Sequence, residues 1–487
     1  MRKNSFTFYF LIAVDFACIV LLSSGCKVGP DYKAPRVDMP KSWTSTALAT
    51  NTNVVISVSD SAAFAKWWTN FNDPELVKLV ESALKENLDL KIAIARIQQA
   101  RASYGMTRAS LFPSIGSSAA YDRFYQNRPS RKPDLFRAGV DALWELDLFG
   151  GNRRGVESAM ANIAAAMEYY RDVRVSLAAE IALNYIQLRT LQQQIAIARD
   201  NLQAQRRTLS ITQQRYGAGF VSRLDVANAE AQAATTESQI SVLESSARQT
   251  IHNISILLGK APGELLEELS SAAQIPIPPT SIKISVPSEL LRRRSDIRRA
   301  EAQLHSATAK IGVATADLFP KFTITGSFSF QENTLPNFFS NPIKSGSVGP
   351  GVSWDIFRGG AIKSNIKLQE FLRDEAFINY QKTVLNALAE VENAIVALSK
   401  EQEHSMALQR AVESNRQAVE IALKLYSEGQ ADFLNVLNAQ RSLLSSEDAL
   451  AQSRRNISTA LVSLYKALGG DWETDAFQKS EVEQQKN

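Results

Sequence analysis

Four stretches of the chain alternate apolar and polar residues. Over 136–149, Phe136, Ala138, Val140, Ala142, Trp144, Leu146 and Leu148 share one side, and Arg137, Asp141, Glu145 and Asp147 the other. Over 321–331, Phe322, Ile324, Phe328 and Phe330 oppose Lys321, Thr323, Thr325 and Ser327. Over 346–357, Val348, Val352, Trp354 and Ile356 oppose Ser347, Ser353 and Asp355, and 114–125 alternates in part. A period of two with one apolar side predicts β-strands. Runs of about 10–14 residues suit tilted strands that cross a membrane.

Between and after these stretches the period lengthens to seven. Ile181, Leu188, Ile195, Leu202, Leu209 and Tyr216 fall seven apart, as do Val384, Val391, Leu398, Val412, Val419 and Tyr426, with Ser405 in the gap. Val226, Ala233, Ile240, Ala247 and Ile254 continue the spacing, and so do Val436, Leu443, Leu450, Ile457 and Leu464. This is coiled-coil spacing. A helix over 152–217 would reach roughly 100 Å, and a return helix over 222–259 only about 57 Å. The helix that precedes each strand pair, ending at Leu111 or Phe319, is the candidate to complete the shorter arm.

The two periods occur twice because the chain repeats itself. "RASLFPSI" matches "TADLFPKF", "WELDLFGG" matches "WDIFRGG", "RYGAGFVSRLDVANA" matches "LYSEGQADFLNVLNA", and "LLGK" matches "ALGG". The order is kept and the offset stays near about 210 residues, the mark of an internal repeat. Repeat 1 spans 73–274: a helix, strands about 114–125 and 136–149, a long helix, a turn at 217–222 and a return helix. Repeat 2 spans 288–470: a helix, strands about 321–331 and 346–357, a long helix, a turn at 427–432 and a return helix. A Pro-rich linker, 275–287, joins them, and 471–487 is a tail. Asp73 and Pro74 suit the N-cap and first turn of the first helix, and Ser288 starts the first helix of repeat 2. The pairs Gly150–Gly151 and Gly359–Gly360 loosen the backbone where strand passes into helix.

Composition narrows the function classes. The formal charge of the 487 residues is +4, too balanced to imply nucleic acid as a partner. Residues 1–25 read as a signal peptide: Arg2 and Lys3, an apolar run, then "LLSSGC". This resembles a bacterial lipobox, with Cys26 as the lipidated residue that begins an extended segment, 26–72. Asp15 argues against a retained membrane helix, where a central carboxylate costs on the order of 3 kcal/mol. Cys18 leaves with the signal, so no disulfide remains. His252, His305 and His404 lack ligand spacing, and no metal site is expected. Nor does any phosphate loop or nucleophile elbow occur. No enzymatic activity and no cofactor are therefore expected. Arg292–Arg294 with Arg298 and Arg299 read as a solvated helix face, with partners such as Asp296 and Glu301.

Four strands cannot close a barrel alone, and an open edge in lipid costs several kcal/mol per unpaired group. Several chains must pool strands. Two copies give eight, with an interior that side chains nearly fill; three give twelve, with room for a lumen. The chain resembles the TolC-like outer membrane factors, in their lipoprotein, NodT-type branch. "CKVGPDYKAP", "WWTNFNDPELVKLV", "ARIQQARA", "LFPSI", "WELDLFGGNRRG", "RYGAGFVSRLDVANAEAQ", "LLRRRSDIRRAEAQL" and "DIFRGG" carry the match; Ser295 stands where Pro is usual.

The resemblance implies a mainly α fold with a small β part: a trimeric outer-membrane β-barrel continued by a long periplasmic coiled-coil α-barrel. It implies a passive, gated duct for small molecules, working as a homotrimer with a periplasmic adaptor, or membrane fusion protein. An inner-membrane transporter, such as a resistance-nodulation-division pump, supplies the energy, and outer membrane lipid surrounds the barrel. The turns that meet the adaptor are Gly217, Ala218, Gly219 and Ser222, and Gly429, Gln430, Ala431 and Asp432. The matching constriction positions are Leu224, Asp225 and Asn228, and Leu434, Asn435 and Asn438. Some relatives carry Asp at the last two; here Asp225 would be the main carboxylate. Gly217, Gly219 and Gly429 suit left-handed helix ends. Ser222 with Asp225 has capping-box spacing, Asp432 is the matching N-cap, and one Asp225 could both cap and gate. Tyr216 and Tyr426 sit at heptad positions that argue for packing, with a breakable latch as the second reading. Two other readings stay open: a pore-less, lipid-anchored coiled-coil scaffold, and the duct of a type I protein secretion system.

Overall fold

Residues 27–45, 55–58, 66–125, 134–276, 281–284 and 286–470 are described in a computed structural model. Cys26, the signal peptide and the tail 471–487 lie outside them. In chain order the elements are β1 (Val55–Val58), α1 (Pro74–Glu86), α2 (Leu88–Ala109), β2 (Ser114–Arg123), β3 (Asp134–Leu146), α3 (Gly151–Gly217), α4 (Arg223–Leu257) and the short α5 (Leu266–Leu269). They continue with β4 (Ser281–Ile284), α6 (Leu290–Arg293), α7 (Ser295–Ala316), β5 (Lys321–Glu332), α8 (Leu335–Ser340), β6 (Ile343–Ser353), α9 (Ala361–Ser427) and α10 (Phe433–Ala467). The long helices α3 and α9 each run 67 residues and the return helices α4 and α10 each 35.

The chain divides into two compact units that cut across the repeats. One comprises Met1–Val37, Ala95–Glu168 and Arg299–Lys382; the other comprises Asp38–Ile94, Tyr169–Arg298 and Thr383–Asn487. Each takes segments of both copies.

In the first unit the four alternating stretches pair into one antiparallel sheet of order β2-β3-β5-β6. The pore-less scaffold reading requires that these segments not be barrel strands, and the ladder runs against it. Register sets the faces. Phe136, Ala138, Val140, Ala142 and Trp144 lie beside Glu332, Phe330, Phe328, Gly326 and Ile324 on one face. On the other, Gly116, Asp141, Ser327 and Ser347 form one row. Two strands end before the alternation does: β3 stops at Leu146 and β6 at Ser353, short of 149 and 357. At these ends the backbone turns on itself, Leu148 N–H bonding the Leu146 carbonyl at 2.8 Å and Ile356 N–H the Trp354 carbonyl at 3.1 Å. The Trp144 indole donates to the Leu111 carbonyl and Trp354 to Leu318, each at 3.1 Å, which satisfies the end of the preceding helix. The chain then passes into the long helices through Gly150, and through Gly359 and Gly360, all at positive φ.

In the second unit the heptad residues face inward. Ile181, Leu188, Ile195, Leu202, Val384, Val391, Leu398, Val412 and Val419 are buried, as are Val226, Ala233, Ala247, Ile254, Val436, Leu450 and Leu464. The helix preceding each strand pair is broken. Asn87 ends α1; its Oδ1 accepts from Asp89 and Leu90 N–H, and its Nδ2 donates to the Leu257 carbonyl at the end of α4. In repeat 2 no single helix starts at Ser288. A 3₁₀ turn, Pro287–Glu289, and α6 precede a break at Arg294, whose guanidinium reaches the Ala467 carbonyl at the end of α10. One device thus serves both copies: a side chain at the break caps the return helix, satisfying a carbonyl that the helix itself leaves open.

This corrects the reading of the arginine run. Arg293 and Arg294 are buried, Arg293 pairing with Glu289 and Arg294 with Asp296 and Glu390. Glu301 accepts from the Tyr32 hydroxyl at 3.1 Å. The linker also holds an element that its prolines hid. β4 pairs in parallel with β1, Val55 beside Ser281 through Val58 beside Ile284.

Candidate functional site

The helix-pair turns carry the predicted site residues, and both turns close alike. The Phe220 N–H bonds the Arg215 carbonyl and the Gln430 N–H the Leu425 carbonyl, at 2.9 and 2.8 Å. Each is a six-to-one closure with the glycine one residue before it in left-handed φ: Gly219 at +80° and Gly429 at +79°. Gly217 differs from expectation, being the last residue of α3 with no positive φ. Ala218 and Gln430 are exposed and Ala431 half-buried.

The two N-caps are not equivalent. Ser222 and Asp225 form a full capping box: Ser222 N–H and Oγ donate to Asp225 Oδ2 at 3.0 and 2.8 Å, and Asp225 N–H returns to Ser222 Oγ at 3.3 Å. Asp432 stands at the N-cap of α10, but its side chain accepts no capping bond. Leu224 and Leu434 are 67% and 54% exposed. Asn435 and Asn438 are exposed, and Asp225 and Asn228 half-buried. These side chains are therefore presented to the surroundings, and Asp225 is held in place by its cap.

The tyrosines differ within one chain: Tyr426 is 2% exposed and Tyr216 is 45% exposed. Tyr426 packs with Ala229, Phe433, Val436 and Leu437, its ring edge-on to Phe433 at 5.8 Å. Its hydroxyl donates to Thr212 Oγ1 at 3.2 Å, which joins α9 to α3. Arg215, which the sequence does not single out, lies over the Tyr426 ring at 4.8 Å and donates to the Tyr426 carbonyl. Further polar bonds join the copies: Gln440 to Thr208 at 3.0 Å, Arg441 to Gln232 at 2.7 Å, and Asn201 to Glu447 at 3.0 Å. None shows in the sequence, because each partner lies more than two hundred residues away.

The segment after Cys26 is pinned by built contacts. Val28 N–H bonds the Phe149 carbonyl at 3.0 Å. Arg154, 2% exposed, donates to the Val28 and Gly29 carbonyls, Asp31 and Glu157. Gly29, at φ +83°, lies so close that an added Cβ would stand 2.4 Å from Gly312 Cα. His305 stacks on Tyr32 at 4.2 Å and bonds Glu157 at 3.2 Å. Burial would raise the Glu157 carboxyl, but the bonds from His305 and Arg154 bring it below its ordinary value. In the second unit, Glu392 accepts from Thr44 N–H, Thr44 Oγ1 and Ser45 N–H at 2.7, 2.9 and 3.0 Å. Burial opposes these bonds there too, and they hold Glu392 below the ordinary carboxylate value. Among the described residues, no group of three or more His, Cys, Asp or Glu could hold a metal, and no helix is long and apolar enough to cross a membrane.

Comparison with known proteins agrees with this geometry. Residues 79–260 and 286–470 match the family described as Outer membrane efflux protein. The chain is 31% identical to Nodulation protein T of Rhizobium leguminosarum bv. trifolii over 456 residues, covering 93% of this chain and 96% of that one. It is 30% identical to the solvent efflux pump outer membrane protein SrpC of Pseudomonas putida, covering 93% and 97%. Among solved structures, the outer-membrane channel OprN superposes with a TM-score of 0.83 at 37% identity, over 92% of this chain and all of that one.

Proposed function

This chain belongs to the outer membrane efflux protein family, and from that premise we propose how its parts serve export. It resides in the outer membrane, extends into the periplasm, and is the efflux duct through which small molecules leave the cell. The observation that carries the proposal is the four-stranded sheet. It has one mostly apolar face, one face of Ser, Thr and Gly that also carries Asp122, Arg137, Asp141, Glu145 and Lys321, and β2 and β6 without a strand on their outer sides among the described residues. Open edges are untenable in lipid. Three copies close them, β6 of one against β2 of the next, into a twelve-stranded barrel with a wet lumen.

The cargo then follows a passive route. The lumen face offers hydroxyls, glycine backbone and charged side chains, with a hollow beside Asp141, Thr325, Ser327 and Ser347. The SrpC relative suggests small apolar compounds as cargo. Control falls to the turns. Three symmetric copies of Asp225 put three carboxylates at the constriction, rimmed by Leu224 and Leu434, with Asn228, Asn435 and Asn438 as uncharged polar lining. Tyr426, Arg215 and Thr212 hold the two helix pairs of each chain together there. The exposed turns, 217–222 and 429–432, receive a periplasmic adaptor, and an inner-membrane transporter supplies the energy. Lipidation of Cys26 suits the fixed segment that follows it.

Planar-bilayer recording tests this. The purified protein conducts in single-channel steps, with cation preference set by Asp225. A protein that stays silent, even with Asp225→Ala and loosened turns, overturns the duct. Deletion in the host raises sensitivity to small toxic compounds.

A further inference from the structure

The connection between β5 and β6 is longer than a strand hairpin needs. Two residues suffice for such a turn, yet 333–342 contain the helix α8, with sequence LPNFFS. Its Phe339 is 79% exposed and Leu335 is 50% exposed. The helix carries no charge, and Ser340 Oγ is bonded to the Pro336 carbonyl within it. An apolar turn of this kind needs a surrounding that takes up its rings.

The position of Phe338 identifies that surrounding. Its ring meets Phe136 with centroids 6.5 Å apart, and Phe136 in turn meets Tyr121 at 4.8 Å. Tyr121 and Phe136 lie in the last row of the face that carries Val140, Phe328 and Phe330, and Glu332 closes that row at the polar boundary. From Leu146 to Phe136 this face climbs about 3.3 Å per residue, which at a tilt of roughly 40° makes a band about 25 Å tall, the height of a barrel's lipid-facing belt. α8 sits at the upper rim of that band, at the end of the strands away from their links to the long helices. Lys344, opposite Phe330 on the same face, stands at this rim, and a lysine there reaches up to headgroup phosphates while its stem stays in the apolar layer.

We propose that α8 is an interfacial anchor: Phe339 and Leu335 insert among the acyl chains of the outer leaflet, and Lys344 meets the headgroups. Phenylalanine and leucine on one side of a short helix are the side chains that seat in this layer. The occupant is lipid because the patch continues the lipid-facing surface of the sheet through the Phe338–Phe136 contact. The inference rests on that face being the lipid face, so its test carries a control for it.

A nitroxide is placed at Phe339→Cys in the full-length protein, reconstituted in phosphatidylethanolamine–phosphatidylglycerol vesicles. Val140→Cys marks the mid-band and Asn333→Cys the aqueous end, and unlabelled-site background is read from the parent protein. Relaxation by oxygen is compared with relaxation by a water-soluble nickel chelate. The expected result is oxygen dominant at 140 and 339, less so at 339, and nickel dominant at 333. Nickel dominance at 339 with oxygen dominance at 140 overturns the anchor alone. Low access of both relaxants at 339 means a protein contact and also overturns it. Nickel dominance at 140 overturns the lipid-facing assignment of the sheet itself.

Discussion

At the residue scale, buried charge decides what a side chain is worth. Arg154 serves two carbonyls and two carboxylates from a buried position. Removing the guanidinium leaves the Val28 and Gly29 carbonyls and the half-buried Glu157 without their donor, whereas the exposed Asp31 returns to water. Arg154→Met is expected to lower the unfolding temperature and expose 27–37 to protease, read by thermal scanning and limited proteolysis. Glu392 gives a pH test. Its folded value lies below the unfolded carboxylate value of about 4.3. The stabilisation is therefore complete above that unfolded value and is lost as pH falls through the lower folded one. The gap in unfolding temperature between the parent protein and Glu392→Gln, read by thermal scanning, should hold at neutral pH and shrink below about pH 4.

At the element scale, the return helices depend on side chains from the broken N-terminal helices. Asn87 binds both the start of α2 and the last carbonyl of α4. Asn87→Ala is expected to cost about 1–2 kcal/mol, the range for losing a helix cap. Hydrogen exchange should quicken at Asp89 and Leu90 while mid-helix amides of α3 stay protected. At the turn, cap and gate separate by substitution. Asp225→Asn keeps an acceptor for the Ser222 bonds but removes the charge, whereas Asp225→Ala removes both. Exchange protection at 223–226 should survive the first and fall with the second. Cation preference in bilayers should fall with either. Unchanged selectivity in both would leave Asp225 a cap alone.

At the scale of the whole molecule, the assembly answers for edges that one chain cannot close. Four strands leave two open sides, and the cost of unpaired groups in lipid is several kcal/mol each. The purified protein should therefore run as a heat-modifiable trimer on gels. Proline placed at Val348, on the outer strand β6, should dissociate it: Gly349 turns its carbonyl toward β5, so the alternate Val348 N–H faces outward and proline removes a donor from the ladder that neighbouring copies share. A protein that keeps its trimer after several such edge substitutions would have its copies joined elsewhere.

The sequence by itself determined the local periods and their repetition. Alternation marked the four strands and sevens marked the four long helices, because each is a short-range pattern that one buried face imposes. The turns were legible for the same reason, since glycine and a Ser–Asp pair at fixed spacing speak for their own few residues. Where strands stop was not legible, because the backbone turns at Leu146–Leu148 and Trp354–Ile356 inside a run that still alternates. The burial of Arg293 and Arg294, the pairing of β1 with β4, the different fates of Tyr216 and Tyr426, and the role of Arg215 were decided only in three dimensions. Each depends on a partner distant in the chain. The energy of a buried polar group belongs to that pairing, and no periodicity in the sequence encodes it.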